Sequence, residues 1–240
     1  MENYMKQLEK ALDTLSIPYT EEMIDKFERY MQLVLEWNEK VNLTAITERE
    51  EFIKKHFIDS VLCYSFPEMK KAQTVIDVGT GAGFPGIPLA LVYPEKKFVL
   101  MDSLNKRLKI IDQICSDLDI QNVKTLHGRA EDLGKSKMYR EKYDICVSRA
   151  VANLATLSEY CLPFIKVGGA FLAYKGNKAE EEIKEAEKAI HLLGGKLMEE
   201  RQVKLDDFDL DHHIRVISKC KNTPAKFPRK AGTPSKEPLK

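Results

Sequence analysis

The sequence predicts an α/β protein: a doubly wound, mainly parallel seven-stranded sheet that ends in an antiparallel hairpin, behind an N-terminal helical extension. Three observations predict it. From Thr74 onward, short apolar runs alternate with amphipathic segments, the signature of strand–helix–strand units joined by right-handed crossovers. The last two runs have no helical stretch between them, only a loop holding Asp206, Asp207, Asp209 and Asp211, so they pair as a hairpin. Before Thr74 the apolar side chains recur at helical spacing instead.

Taken in order, Leu8, Leu12 and Leu15 share one helical face. Met23, Phe27, Tyr30, Met31, Val34 and Trp37 form the stripe of a second helix, which Thr20 opens after Pro18 with Glu22 in its first turn. Asn42 to Thr44 break that pattern, and a further helix is expected from 48 to 65. Strands are expected at 75–78, 98–102, 123–127, 143–148, 170–174, around 196–205 and at 213–219. Helices should separate them at 86–92, 104–118, 153–165 and 178–193. The expected organisation is a helical extension over 1–70, a main domain over 71–218 and a basic, proline-rich arm over 219–240.

Composition narrows the classes. With 43% hydrophobic and 31% charged residues the chain is an ordinary globular protein. No apolar run approaches the roughly 18 residues that suggest a membrane span. The start, MENYMKQLEKALDTL, mixes acids and bases and lacks the apolar core of a signal peptide. A cytoplasmic protein with no membrane partner is expected. Cys63, Cys115, Cys146, Cys161 and Cys220 are odd in number, far apart and without a CxxC pair, which argues against a disulfide framework or a zinc knuckle. Residues 219–240 carry seven basic side chains and one acid, a local +6 within a chain of net charge +1. Four prolines there argue against a helix or central strand. The tail is either a solvated terminus or an extended arm for a phosphate backbone.

The motif with the most chemical content is Val75-Ile-Asp77-Val-Gly79-Thr-Gly81-Ala-Gly83-Phe84-Pro85-Gly86. A strand runs through three alternating glycines into a helix, which lets the backbone turn with positive φ and lets a ligand approach the main chain. Asp102 closes the next strand, where a carboxylate can take both hydroxyls of a ribose. S-adenosylmethionine is the favoured ligand. Gly81-Ala-Gly83-Phe-Pro-Gly86 also satisfies the dinucleotide pattern GxGxxG, but Pro85 removes an N–H from the phosphate-cradling turn, and no room is left for a substrate domain. A purely structural tight turn is the third alternative. Arg129, Ala130, Glu131 and Asp132 follow the third strand, where Ala130 and Glu131 can read an adenine or cap a short helix. Arg149 follows the fourth strand, at the edge where open α/β sheets place ligands.

The acceptor is bounded by what is missing. Ser148-Arg149-Ala150-Val151 stands where amino-group methyltransferases carry an Asn/Asp-Pro-Pro-aromatic turn, and neither Cys146 nor Cys161 is presented as a nucleophile. No carboxylate and histidine cluster suggests a metal. A ring nitrogen with a free lone pair, such as guanine N7, needs none of these: its N–C bond forms as the sulfonium S–C bond breaks, and alignment is the enzyme's main task.

Leu35-Glu-Trp37-Asn38-Glu-Lys-Val-Asn42-Leu43-Thr44, Lys55-His56-Phe-Ile-Asp59-Ser60, DVGTGAGFPG, Asp102-Ser103-Leu-Asn105-Lys106-Arg107, GRAEDL and SRAV together resemble the RsmG family, also called glucose-inhibited division protein B. The likeness runs to the tail, Asn222-Thr223-Pro224 and Phe227 to Pro234. It implies a Rossmann-like class I methyltransferase that modifies guanine N7 in a single-stranded loop of bacterial 16S ribosomal RNA, alone or in the small subunit. It also implies a cofactor site at Gly79, Phe84, Ala130, Glu131 and Arg149. With Asp77, Gly81, Gly83 and Asp102 added from the residues themselves, this is the expected cofactor set, and Arg149, bridging cofactor and substrate, is the expected catalytic residue. Candidate RNA contacts are Lys106, Arg107, Arg129, Lys175, Arg229 and Lys230. Asn38, Asn42 and His56 are either scaffold or the edge of a substrate cleft, and His212 and His213 are assigned to structure or solvent. A monomer is expected. A small-molecule methyltransferase and a non-catalytic ribosome-binding protein are the alternatives.

Overall fold

The computed structural model describes residues 4–149, 152–175, 180–198, 200–208 and 210–239. The chain opens with α1 (Met5–Thr14) and α2 (Glu21–Asn38). Thr20 caps α2 by accepting a hydrogen bond from the Met23 N–H at 3.2 Å, with Glu21 and Glu22 in the first turn where the helix dipole favours acids. Leu8, Leu12, Phe27, Tyr30, Met31 and Val34 are buried, while Leu15, Met23 and Trp37 at the stripe edges are half-buried. The helix expected over 48–65 is shorter and irregular: α3 (Arg49–Phe52), a π-helical segment (Ile53–Ile58) and α4 (Asp59–Val61). A π-turn widens the helix by one residue and recurs at functional sites. A short α5 (Pro67–Lys71), with proline in its first turn, leads into the sheet.

The main domain runs β1 (Thr74–Val78), α6 (Gly86–Val92), β2 (Lys97–Asp102), α7 (Asn105–Asp117), β3 (Val123–His127), α8 (Ala130–Leu133), β4 (Tyr143–Ser148), α9 (Leu154–Cys161), β5 (Ile165–Lys175), α10 (Glu180–Leu192), β6 (Gly195–Leu197), β7 (Arg201–Leu205) and β8 (Leu210–Lys219). The strand order is β3-β2-β1-β4-β5-β8-β6, with β7 also on β8. Strands β1 to β5 are parallel; β8 runs antiparallel to β5, β6 and β7. The sheet is therefore eight-stranded, not seven. The run read as one strand around 196–205 is two, because ten-residue β8 pairs β7 along Leu210–Ile214 and β6 along Ile217–Lys219.

Helices cover both faces. One buried cluster joins α1, α2 and the segment 49–61 to α6, α7 and one face of the sheet; the other joins α9 and α10 to the opposite face.

The tail corrects the expectation of an extended or solvated arm. It folds back across α9 and ends in α11 (Thr233–Lys236), a turn of helix whose first turn holds Pro234, a position proline tolerates. Its cations are not all in solvent. Lys219 is buried and its Nζ donates to the Leu162 carbonyl at 2.6 Å. Arg229 lies on the buried Glu159, donating from Nε (3.0 Å) and Nη2 (2.8 Å). Arg140 reaches up from the main domain to the carbonyls of Thr223, Pro224 and Phe227. Counting charges could not distinguish these buried partners from solvated ones.

Candidate active site at the carboxyl edge of the sheet

Strands β1, β2, β3 and β4 end on one edge and deliver there the glycine turn, Asp102, the 128–131 turn and Arg149. The chain reverses direction across the sheet between β1 and β4, which is where open α/β sheets form a ligand crevice. A cleft of about 470 Å³ lies there, walled by Gly79, Asp102, Leu104, Ala130, Glu131, Arg149 and Tyr160 among others. Sites for small ligands span about 300–1,000 Å³.

Gly79, Gly81 and Gly83 have φ of 79°, 62° and 103°, a region costly to any residue with a Cβ. Their constraints differ. A Cβ on Gly81 would meet nothing within 4 Å, so the turn is open on that side, whereas one on Gly83 would come within 2.6 Å of Tyr30 Oη and Ile87 Cδ1. The Tyr30 hydroxyl donates to the Ala82 carbonyl at 2.7 Å, so α2 braces the turn from behind. Asp77 works inside the turn: its Oδ2 accepts from Thr80 Oγ1 (2.7 Å) and from the Gly86 N–H (2.9 Å). Burial pushes its carboxyl up to about 7. It does not line the cleft, and neither do Gly81, Gly83 or Phe84.

Asp102 is held by the main chain. Its Oδ1 accepts from the Leu104 N–H (2.8 Å) and its Oδ2 from the Gly81 N–H (3.0 Å), with Arg107 Nη1 at 3.9 Å. Glu131, also buried, accepts from the Gly232 N–H at 2.8 Å, so the tail fixes one wall of the cleft.

Arg149 is the most constrained side chain of the site. Nη1 donates to the Lys55 carbonyl and to Asp59 Oδ2, both at 2.7 Å, and Nη2 to His56 Nδ1 at 3.1 Å. The guanidinium sits 5.3 Å from the Phe84 ring centroid, and His56 stacks on Phe84 at 4.3 Å and 5°. Because guanidinium cannot accept, His56 Nδ1 is the acceptor and Nε2–H donates to Thr44 Oγ1 at 2.8 Å. Burial, reinforced by the Arg149 charge, lowers the His56 pKa to about 3, so the imidazole is neutral. His212 Nδ1 lies 2.6 Å from the other oxygen of Asp59. Its burial favours the neutral acid, yet His212 and Arg149 outweigh that and hold its pKa below the usual range. On the far side of Arg149 lies a second cleft of about 640 Å³, bounded by Lys54, Lys55, His56, Asp59, Leu210 and His212. Arg149 is common to both.

The family model GidB, described as rRNA small subunit methyltransferase G, matches residues 23–208. The chain belongs to this family. It is 52% identical over 237 residues to the ribosomal RNA small subunit methyltransferase G of Clostridium tetani, covering 99% of each chain. To that of Alkaliphilus oremlandii it is 50% identical over 233 residues, 97% of this chain and 98% of the relative. In fold it is similar to the O-methyltransferase from Bacillus cereus, solved in complex with SAH: TM-score 0.56, 16% identity, 89% of this chain and 97% of that one. A putative O-methyltransferase from Klebsiella pneumoniae has the same TM-score at 13% identity, over 90% and 96%.

Among the sequence-predicted cofactor residues, the cleft gathers Gly79, Asp102, Ala130, Glu131 and Arg149; Asp77, Gly81, Gly83 and Phe84 shape the turn behind it. Of the candidate RNA contacts, Lys106, Arg129 and Lys230 are exposed and Arg107 is half-buried beside Asp102. Arg229 is committed to Glu159, and the side chain of Lys175 lies outside the described residues. Asn38 is a turn residue, its Oδ1 accepting from Leu43 and Thr44 N–H, and Asn42 is exposed. His56 serves as both scaffold and cleft wall. The sequence signals no site role for Tyr30, Asp59 or His212. Tyr30 was hidden in an apolar stripe, and only the adjacent acidic loop marked His212.

Proposed function

We propose that the chain transfers the methyl group of S-adenosylmethionine to N7 of one guanine in a single-stranded loop of 16S rRNA, within or destined for the small ribosomal subunit. The observation that carries the reading is the pair of clefts that share Arg149 in a chain of this family. The first cleft suits a nucleoside cofactor: a main-chain turn at Gly79, a fixed carboxylate at Asp102 for ribose hydroxyls, and Ala130 and Glu131 for the base. Bound there, the cofactor supplies an electrophilic methyl on a sulfonium. The second cleft, with Lys54, Lys55 and His212 on its walls, suits a nucleotide acceptor swung out of a loop, where unstacking costs little. Arg149 holds its charge at the junction and leaves N7 free while contacting O6, phosphate or the cofactor carboxylate. N7 carries no proton, so the pocket's work is alignment and water exclusion, and no general base is assigned. A cytoplasmic location and action as a monomer belong to the same proposal.

Titration calorimetry tests the cofactor half. The chain should bind S-adenosylmethionine and S-adenosylhomocysteine, and Asp102→Ala should weaken that binding by roughly 1–3 kcal/mol, the cost of unpaired buried hydroxyls. Binding of NAD in preference to either would overturn the assignment.

A further inference from the structure

Arg149 does not hold its own position. Four groups fix it: the Lys55 carbonyl, the Asp59 carboxylate, the His56 ring nitrogen and the face of Phe84. Three of them come from the irregular helix of residues 49–61, and its π-turn spans the segment containing Lys55 and His56. Among these partners only Asp59 carries a charge. It is 4% exposed, and its two oxygens are divided between chain segments far apart in sequence: Oδ2 to Arg149 after β4, Oδ1 to His212 on β8. His212 brings Nδ1 within ion-pair distance, 2.6 Å, of Asp59 Oδ1. Its ring, 36% exposed, forms part of the second cleft's wall. One buried carboxylate thus contacts both Arg149 and the His212 ring on the acceptor side.

We infer that Asp59 is the positioning residue for methyl transfer: through one oxygen it holds the Arg149 guanidinium at the junction of the two clefts, and through the other it aims His212 at the acceptor nucleotide. This rests on the reading of the second cleft as the acceptor site. Asp59 does not line the cofactor cleft, so its loss acts on alignment and not on cofactor capture.

Single-turnover methylation of small subunits and calorimetry with S-adenosylmethionine, measured on the same variants, test the inference. Asp59→Asn keeps the shape and removes the charge; it should cut the rate on the order of 100-fold while cofactor Kd changes by no more than about threefold, the pattern of a misplaced group. His212→Leu should also slow transfer, and His212→Asn, whose amide nitrogen can stand near the place of Nδ1, should recover most of the rate. The histidine pair decides the matter should Asp59→Asn fail to fold. Equal rates for His212→Leu and His212→Asn, an unchanged rate for Asp59→Asn, or cofactor affinity falling in step with rate would each overturn the inference. Arg149→Ala run alongside separates the two claims. If it methylates normally, the reading of the junction fails; if it is inactive and Asp59→Asn is not, only the role of Asp59 fails.

Discussion

Arg149 Nη1 lies 2.7 Å from Asp59 Oδ2, joining the fourth strand of the sheet to the helical N-terminal region across ninety residues of chain. The N-terminal helices are therefore part of the site's construction. Arg149→Lys should fold yet lose most activity, since a single ammonium cannot serve the Lys55 carbonyl, Asp59, His56 and the Phe84 face together. Thermal melting and single-turnover rates on the same preparation check this.

The glycine turn separates binding from stability. Gly83→Ala forces a Cβ against Tyr30 and Ile87 and should lower stability by more than Gly81→Ala, whose Cβ meets only open space. Gly81→Ala should instead weaken cofactor binding, because it strains the turn whose Gly81 N–H holds the Asp102 carboxylate. Denaturant midpoints and calorimetry should rank the two variants in opposite order.

Asp77 gives a pH signature. Its folded pKa, about 7, stands above the ordinary carboxylate value of 3.8, so between those limits the folded state holds a proton the unfolded state has lost. Its contribution is full below the lower value and disappears as pH rises through the upper one. Asp77→Asn lacks that titration. From pH 4 to 7 the stability of the native chain should fall relative to the variant, by at most about 1.4 kcal/mol per pH unit. A difference that is flat or rises with pH contradicts the assignment.

The tail should behave as a strap. Arg229→Ala leaves the Glu159 carboxylate buried with only the residue 229 N–H against it, and should cost about 3 kcal/mol. Removing residues 224–240 also frees Glu131 from Gly232, so cofactor affinity should drop along with stability, where a free phosphate-binding arm would leave it unchanged. Melting curves with and without S-adenosylmethionine read both effects.

Much of the scaffold was legible because its signals are local. The period of Phe27 to Val34, the Thr20 cap, the apolar strands and the glycines after Val78 each act over a few residues. Asp102, Ala130 and Arg149 were legible because strand ends in such sheets share one edge. What stayed hidden is long-range. Nothing local to Asp59 announces His212, nothing at Tyr30 announces the Ala82 carbonyl, and a tally of charges cannot show that Arg229 meets a buried glutamate. The split of β6 from β7 depends on the length of β8, which becomes visible only once the strands pair.

The identity of the methylated nucleoside decides the activity. Small ribosomal subunits or 16S rRNA lacking the modification are incubated with the protein and methyl-labelled S-adenosylmethionine, then digested to nucleosides for mass spectrometry. Label is expected in 7-methylguanosine, at one position in an unpaired loop, and should be lost with Arg149→Ala in protein that remains folded. Label in a ribose, an exocyclic amine or a pyrimidine, or label found only in small molecules, would contradict methyl transfer to guanine N7 of the rRNA.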